Sequence, residues 1–97
     1  MIDSTLVSKA CSALSHPLRV DVFVALLAAR EAGMMTGALA RALDIAPSTL
    51  SHHLRELEAG GVIERENRGR ATILRARTGP LNDILKTLSA LCCADDA

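Results

Sequence analysis

Aromatic side chains are almost absent: Phe23 is the only one in 97 residues, with no tryptophan and no tyrosine. A core without rings must be filled by Leu, Ile, Val, Ala and Met, which favours helix packed on helix over a β-sandwich. Cysteine is scarce, with three in all. An odd number does not build a secreted disulfide framework, so reduced thiols are the expected state. No charge-free run is long enough to span a bilayer, and no basic start leads into an apolar stretch. Met1-Ile2-Asp3-Ser4-Thr5 reads as a cytosolic start, and the expected location is the cytoplasm. An excess of either charge is missing too: 11 Lys and Arg balance 11 Asp and Glu.

A neutral total argues at first against nucleic acid, but the distribution is uneven. Between Val62 and Arg77 lie Arg65, Arg68, Arg70, Arg75 and Arg77 against Glu64 and Glu66. After Pro80 the balance reverses, with Asp83, Asp95 and Asp96 against Lys86. For DNA binding a local basic patch counts for more than the sum. Hydrophobic residues make up 49% of the chain. That is high for so small a domain and predicts apolar surface buried between chains, hence a homodimer.

Leu6, Val7, Ala10 and Leu14 recur at helical spacing, with Asp3 or Ser4 as the cap. Ser15-His16-Pro17 interrupts and starts a second helix, with Pro17 in the first turn, where its missing N–H costs nothing. That helix runs through Leu18, Val22, Phe23 and Leu26 towards Gly33. Thr36 is the expected cap of a short third helix, Gly37 to Leu43. After Asp44-Ile45-Ala46, Pro47 opens a fourth helix to Ala59 with Leu50, Leu54 and Leu57 on one side. Gly60-Gly61 stops it. Residues 62–67 and 71–76 are β-prone around Arg68-Gly69-Arg70, which predicts a hairpin. A last amphipathic helix covers Leu81 to about Ala94.

The third and fourth helices have the dimensions of a helix-turn-helix, whose second helix enters the major groove with its N-terminal residues at base edges. Ser48, Thr49, Ser51, His52 and His53 are the expected groove contacts. Arg55 on the same helix, and Arg68 and Arg70 on the hairpin, are expected on phosphate. The fold class that follows is mainly α: a winged helix-turn-helix of four helices, a β-hairpin wing and a C-terminal helix.

Ala13-Leu14-Ser15-His16-Pro17-Leu18-Arg19, Ala46-Pro47-Ser48-Thr49-Leu50-Ser51-His52-His53-Leu54-Arg55-Glu56-Leu57 and Ala59-Gly60-Gly61-Val62-Ile63 together resemble the ArsR/SmtB family of metal-sensing repressors. The resemblance covers about residues 10–77. It implies one domain, 1–97, with the helix-turn-helix at 36–59, the wing at 62–77, and dimerisation helices at 1–14 and 80–94. It also implies a homodimer on a pseudo-palindromic operator, released by an inducer.

Arsenic and lead sensors of the family often carry Cys-x-Cys where this chain has Gly33-Met34-Met35-Thr36-Gly37, without cysteine. Its first-row metal sensors use His, Asp and Glu on the last helix, where this chain has no histidine and only Asp83 in the body of the helix. Cys92 and Cys93 remain, with Cys11. Adjacent helical residues point about 100° apart. Cys92 therefore joins the stripe of Leu81, Ile84, Leu85, Leu88 and Leu91. Cys93 falls with Asn82, Lys86 and Ser89, where a free thiol is a liability. Cys11 aligns with Val7 and Leu14, a core position when taken alone.

Thiolates prefer thiophilic acceptors, and some arsenic sensors of the family carry a Cys-Cys pair on this helix. The resemblance thus implies As(III) or Sb(III) as inducer at Cys92 and Cys93, with Cys11 as a third ligand from the same or the partner chain. No permanently bound cofactor and no catalysis are expected. No cysteine heads a strand-to-helix loop beside a base, as thiolate enzymes require. The alternatives are a thiol-redox or persulfide-sensing repressor on the same scaffold, or a winged helix that docks protein.

Overall fold

The computed structural model describes residues 2–95, with side chains described as far as Cys92. The first helix, α1, is Ser4–Ala13, and Asp3 is its cap: Oδ1 accepts from the N–H groups of Thr5 and Leu6 at 3.1 and 3.2 Å. Helix α2 is Pro17–Ala29, opened by His16, whose Nδ1 accepts from the Leu18 N–H at 3.2 Å. It tightens into one 3-10 turn, Arg30–Ala32. Then come strand β1 (Met34–Met35), α3 (Thr36–Leu43), α4 (Pro47–Ala59), β2 (Ile63–Arg68), β3 (Ala71–Ala76) and α5 (Gly79–Asp95).

The hairpin is wider than expected, because β1 adds to its free edge in the antiparallel order β1-β3-β2. Met34 lies opposite Leu74 and Met35 opposite Ile73. Gly33 makes this approach possible. Its φ is +68°, and a Cβ there would stand 2.5 Å from the Leu74 carbonyl oxygen. The same strand corrects the expected cap of α3. Thr36 is already helical, the cap position falls to Met35, and no side-chain hydrogen bond closes that end.

The core is the aliphatic one that the missing aromatics require. Leu26, Leu39, Leu50, Leu57, Val22, Val62 and Leu74 are fully buried, and Leu54 nearly so. They come from α2, α3, α4 and the hairpin base, so α3 and α4 share one core with the hairpin. Such packing is sensitive to single methylenes.

Helix α1 lies across the end of α4. Ala10 and Ala13 are buried there, and a Cβ on Gly60 would overlap the Ala13 Cβ and stand 2.9 Å from the Lys9 carbonyl oxygen. Gly60 has ordinary αR geometry, with φ −79° and ψ −6°. Space, not backbone freedom, is what demands glycine. Helix α5 packs on α1, and then its far half, from Leu85 to Cys92, stands exposed. No single described helix is long and apolar enough to cross a membrane.

Gly60→Ala is expected to cost about 1–3 kcal/mol by overpacking, read as a lower urea midpoint. Gly37→Ala, where a Cβ meets only the far end of the Arg41 side chain at 3.5 Å, should leave the midpoint unchanged or slightly raised.

Candidate nucleic-acid interface

The turn between α3 and α4 is set by backbone chemistry. Asp44 adopts left-handed geometry, φ 52° and ψ 51°, which Asp tolerates better than most residues. The Ile45 N–H then bonds the Ala40 carbonyl at 3.1 Å and the Asp44 N–H bonds Arg41 at 3.2 Å. This is a Schellman ending, with Ile45 folding back on the core. Helix α4 ends the same way: Gly61 has φ +76°, Val62 N–H reaches Leu57 at 3.2 Å, and Val62 is buried. Both ends of α4 are thereby fixed.

On α4, Ser48, Thr49, Ser51, His52 and Arg55 are exposed along one side, as a groove-entering helix requires. His53 is not with them. It is 7% exposed and turned into the protein, which corrects its expected place among the groove contacts. At one step from His52 it lies about 100° round the helix, on the flank that meets α2.

There the Arg19 Nε–H donates to His53 Nδ1 at 3.1 Å. The His16 ring lies 4.8 Å from the His53 ring, centroid to centroid, and His52 lies 5.5 Å away. A nitrogen that accepts from arginine carries no proton, so this geometry requires neutral His53 protonated at Nε2. Burial, chiefly, pulls its pKa below the ordinary 6.5, and the nearby His16, Arg19 and His52 pull the same way. Arg19 escaped the sequence reading because its partner is 34 residues away.

The wing turns on Gly69-Arg70, with Gly69 at φ +60° and Arg70 outside the positive region. That is the pattern of a type II′ hairpin turn, with Gly first. Arg68 pairs opposite Ala71 to close it. The basic character of this segment is largely spent within the fold. Arg65 pairs with Glu58 at 2.6 Å, Arg68 and Arg75 share Glu66 at 2.8 and 2.7 Å, and Arg77 holds Glu64 at 2.7 Å. Hydrogen bonds from Arg68 first and Arg75 second keep the Glu66 carboxyl below the usual carboxylate range. Among the described residues Arg70, exposed at the tip, takes part in none of these pairs, and neither do exposed Arg55 and Arg41. Arg41, on the last turn of α3, is a basic position the sequence reading passed over.

Cys11 and Cys92 are both exposed free thiols. Exposure of Cys11 overturns its expected core position; α1 buries Ala10 and Ala13 instead. The Cys93 side chain lies outside the described residues, as do Asp96 and the Asp95 side chain of the acidic tail. Among the described residues no group of three or more His, Cys, Asp or Glu could hold a metal ion.

A three-helix core with a two-helix reader and a hairpin beside it defines a winged helix-turn-helix protein. Residues 14–66, more than half the chain, match the family described as a helix-turn-helix domain. Among solved structures, an ArsR-like transcriptional regulator from Rhodococcus sp. RHA1 is 26% identical, with a TM-score of 0.73 over 95% of this chain and 84% of that one. A homodimeric winged helix-turn-helix DNA-binding domain from Mycobacterium bovis, a possible ArsR-family regulator, is 21% identical. Its TM-score is 0.68 over 95% of this chain and 80% of that one. S. aureus MepR in complex with DNA is 20% identical, with a TM-score of 0.67 over 91% and 73%. No curated protein sequence matches. The chain belongs to the helix-turn-helix domain family, and its fold is similar to that of an ArsR-like transcriptional regulator.

The folded state holds His53 neutral while the unfolded chain takes up a proton near pH 6.5. The stability this adds is present above that value and is lost as the pH falls through the depressed folded value. The urea midpoint is expected to be lower at pH 5.5 than at pH 7.5. His53→Asn, which keeps an acceptor near the Nδ1 position without titrating, should narrow that difference.

Proposed function

We propose that this chain is a homodimeric repressor that binds operator DNA through α4 and the wing and is released by trivalent arsenic bound to cysteine thiolates. The observation that carries the inducer reading is the placement of thiols. Cys11 on α1 and Cys92 on the exposed far half of α5 are both free thiols, on two helices that are in contact. With Cys93 beside Cys92 in sequence, the donor set is sulfur alone, which suits arsenite, methylarsenite or antimonite better than zinc.

Leu85, Leu88 and Leu91 on α5 and Leu6 on α1 are exposed at 55, 53, 59 and 49%. That apolar surface supports a second copy of the chain seated on these helices, and the M. bovis relative is described as homodimeric. Inducer bound between α1 and α5 would then act on the contact that sets the spacing of the two α4 helices. On DNA, Ser48, Thr49, Ser51 and His52 read the groove. Arg55, Arg70 and the already paired Arg68 meet phosphate.

The test is a gel shift on the promoter upstream of the chain's own gene, with As(III), Sb(III), Zn(II), Cd(II) and peroxide added separately. Release by As(III), lost in a Cys92→Ser, Cys93→Ser double variant, is the expected result. Release by Zn(II) without As(III) overturns the inducer assignment, and release by peroxide alone moves the thiols to redox sensing. Cys11→Ser is expected to weaken release by arsenite, which takes three sulfurs, more than release by methylarsenite, which takes two.

For the DNA contacts, Arg70→Ala should weaken specific and scrambled duplexes alike. It should also lower the slope of log K against log salt by about one. Arg77→Ala, whose arginine is held by Glu64, should change the slope less.

A further inference from the structure

All three histidines of the chain gather at one place. His16 caps α2, His52 and His53 sit on α4, and Arg19 reaches His53 across the seam between the two helices. DNA contact accounts for exposed His52 alone. No metal accounts for the cluster, since no such group among the described residues could hold one.

We propose that Arg19 and His53, backed by His16, are positioning residues for DNA reading. Their hydrogen bond holds α4 in the register that presents Ser48, Thr49, Ser51 and His52 to bases, and protonation of His53 releases it. The inference rests on α4 being the reading helix.

The bond is the one side-chain hydrogen bond from the start of α2 to α4 among the described residues. Its donor is always charged. A proton on His53 Nδ1 would set N–H against N–H and one positive charge against another, so the bond and its orientation are lost together. His16 cannot take over as acceptor through Nδ1, because that lone pair holds the Leu18 N–H at 3.2 Å. The charged or titratable groups that act on His53 are Arg19 and His16 from α2 and His52 from its own helix; α1, α3 and β2, which also pack on or near α4, bring none to bear.

Acid also makes the chain as a whole more positive, which strengthens binding to any sequence. Affinity alone would mix the two effects. The ratio of promoter affinity to scrambled-duplex affinity separates them, because phosphate attraction is common to both duplexes.

The experiment measures that ratio by fluorescence anisotropy at pH 7.5 and 5.5 at fixed salt. The proteins are the full-length wild type, His53→Asn, Arg19→Lys, Arg19→Leu and His52→Gln, each checked as folded by circular dichroism. The wild-type ratio is expected to fall about tenfold on acidification, the worth of one charge-assisted hydrogen bond. His53→Asn should keep most of the ratio at pH 7.5 and hold it flat to pH 5.5. Arg19→Leu should have a low ratio at both values, with Arg19→Lys between it and the wild type. His52→Gln should keep the fall in ratio, because His52 takes no part in the Arg19–His53 bond.

A wild-type ratio that does not change with pH, or a His53→Asn ratio that falls like the wild type, overturns the positioning role. A wild type that never distinguishes promoter from scrambled DNA overturns the DNA-reading assignment itself, and the inference with it.

Discussion

Where the end of α4 meets α1, Gly60 faces Ala13 so closely that a Cβ on Gly60 would overlap the Ala13 Cβ. Helix α1 has only ten residues and buries only Ala10 and Ala13. So short an element, with so small an apolar face, owes its place to tertiary packing and not to its own propensity. Helix α5 in turn packs on α1. Helix α5 also comes near the end of α4 directly, where Pro80 faces Gly61, so both terminal helices meet the end of α4 at glycines. Small residues bring backbones close, and close backbones transmit a shift in one helix as a shift in the other, with little rotamer freedom to absorb it.

Most of the architecture was legible because its signals are local. Pro47 and the Gly60-Gly61 pair bound α4 as the structure does, and Ala71–Ala76 coincides with the predicted second strand. Leucines at 50, 54 and 57 point inward as their spacing requires. Strand β1 was not legible. Two residues carry no periodicity, and Met34-Met35 becomes a strand only because β3 offers a free edge. Thr36 lost its capping role for the same reason: the strand pairing fixes where the backbone turns into α3.

The interface was half legible. Serine, threonine and histidine at the start of a reading helix announce polar contact, yet the sequence cannot say which of two adjacent histidines faces out. Helical geometry obliges them to diverge, and the core claims His53 because Arg19, 34 positions back, supplies a partner for a buried ring nitrogen. The arginine count misled in a similar way. Five arginines between Val62 and Arg77 suggest a basic arm, but alternating glutamates on the same segment and Glu58 on α4 hold four of them. Likewise Cys11 matched an apolar spacing in a helix whose buried strip is one alanine wide on either side of it.

The self-neutralised wing has a consequence for how the protein finds its site. A genome presents about a million or more competing sequences for each correct one, and general attraction to phosphate raises occupancy on all of them. A wing whose arginines are mostly held by its own glutamates, on a chain with net charge zero, contributes little to that background. On the proposed function, Arg70, which takes part in none of these ion pairs, would be the wing's main attraction for phosphate. A reader built in this way would gain less from non-specific DNA than one with a free basic arm.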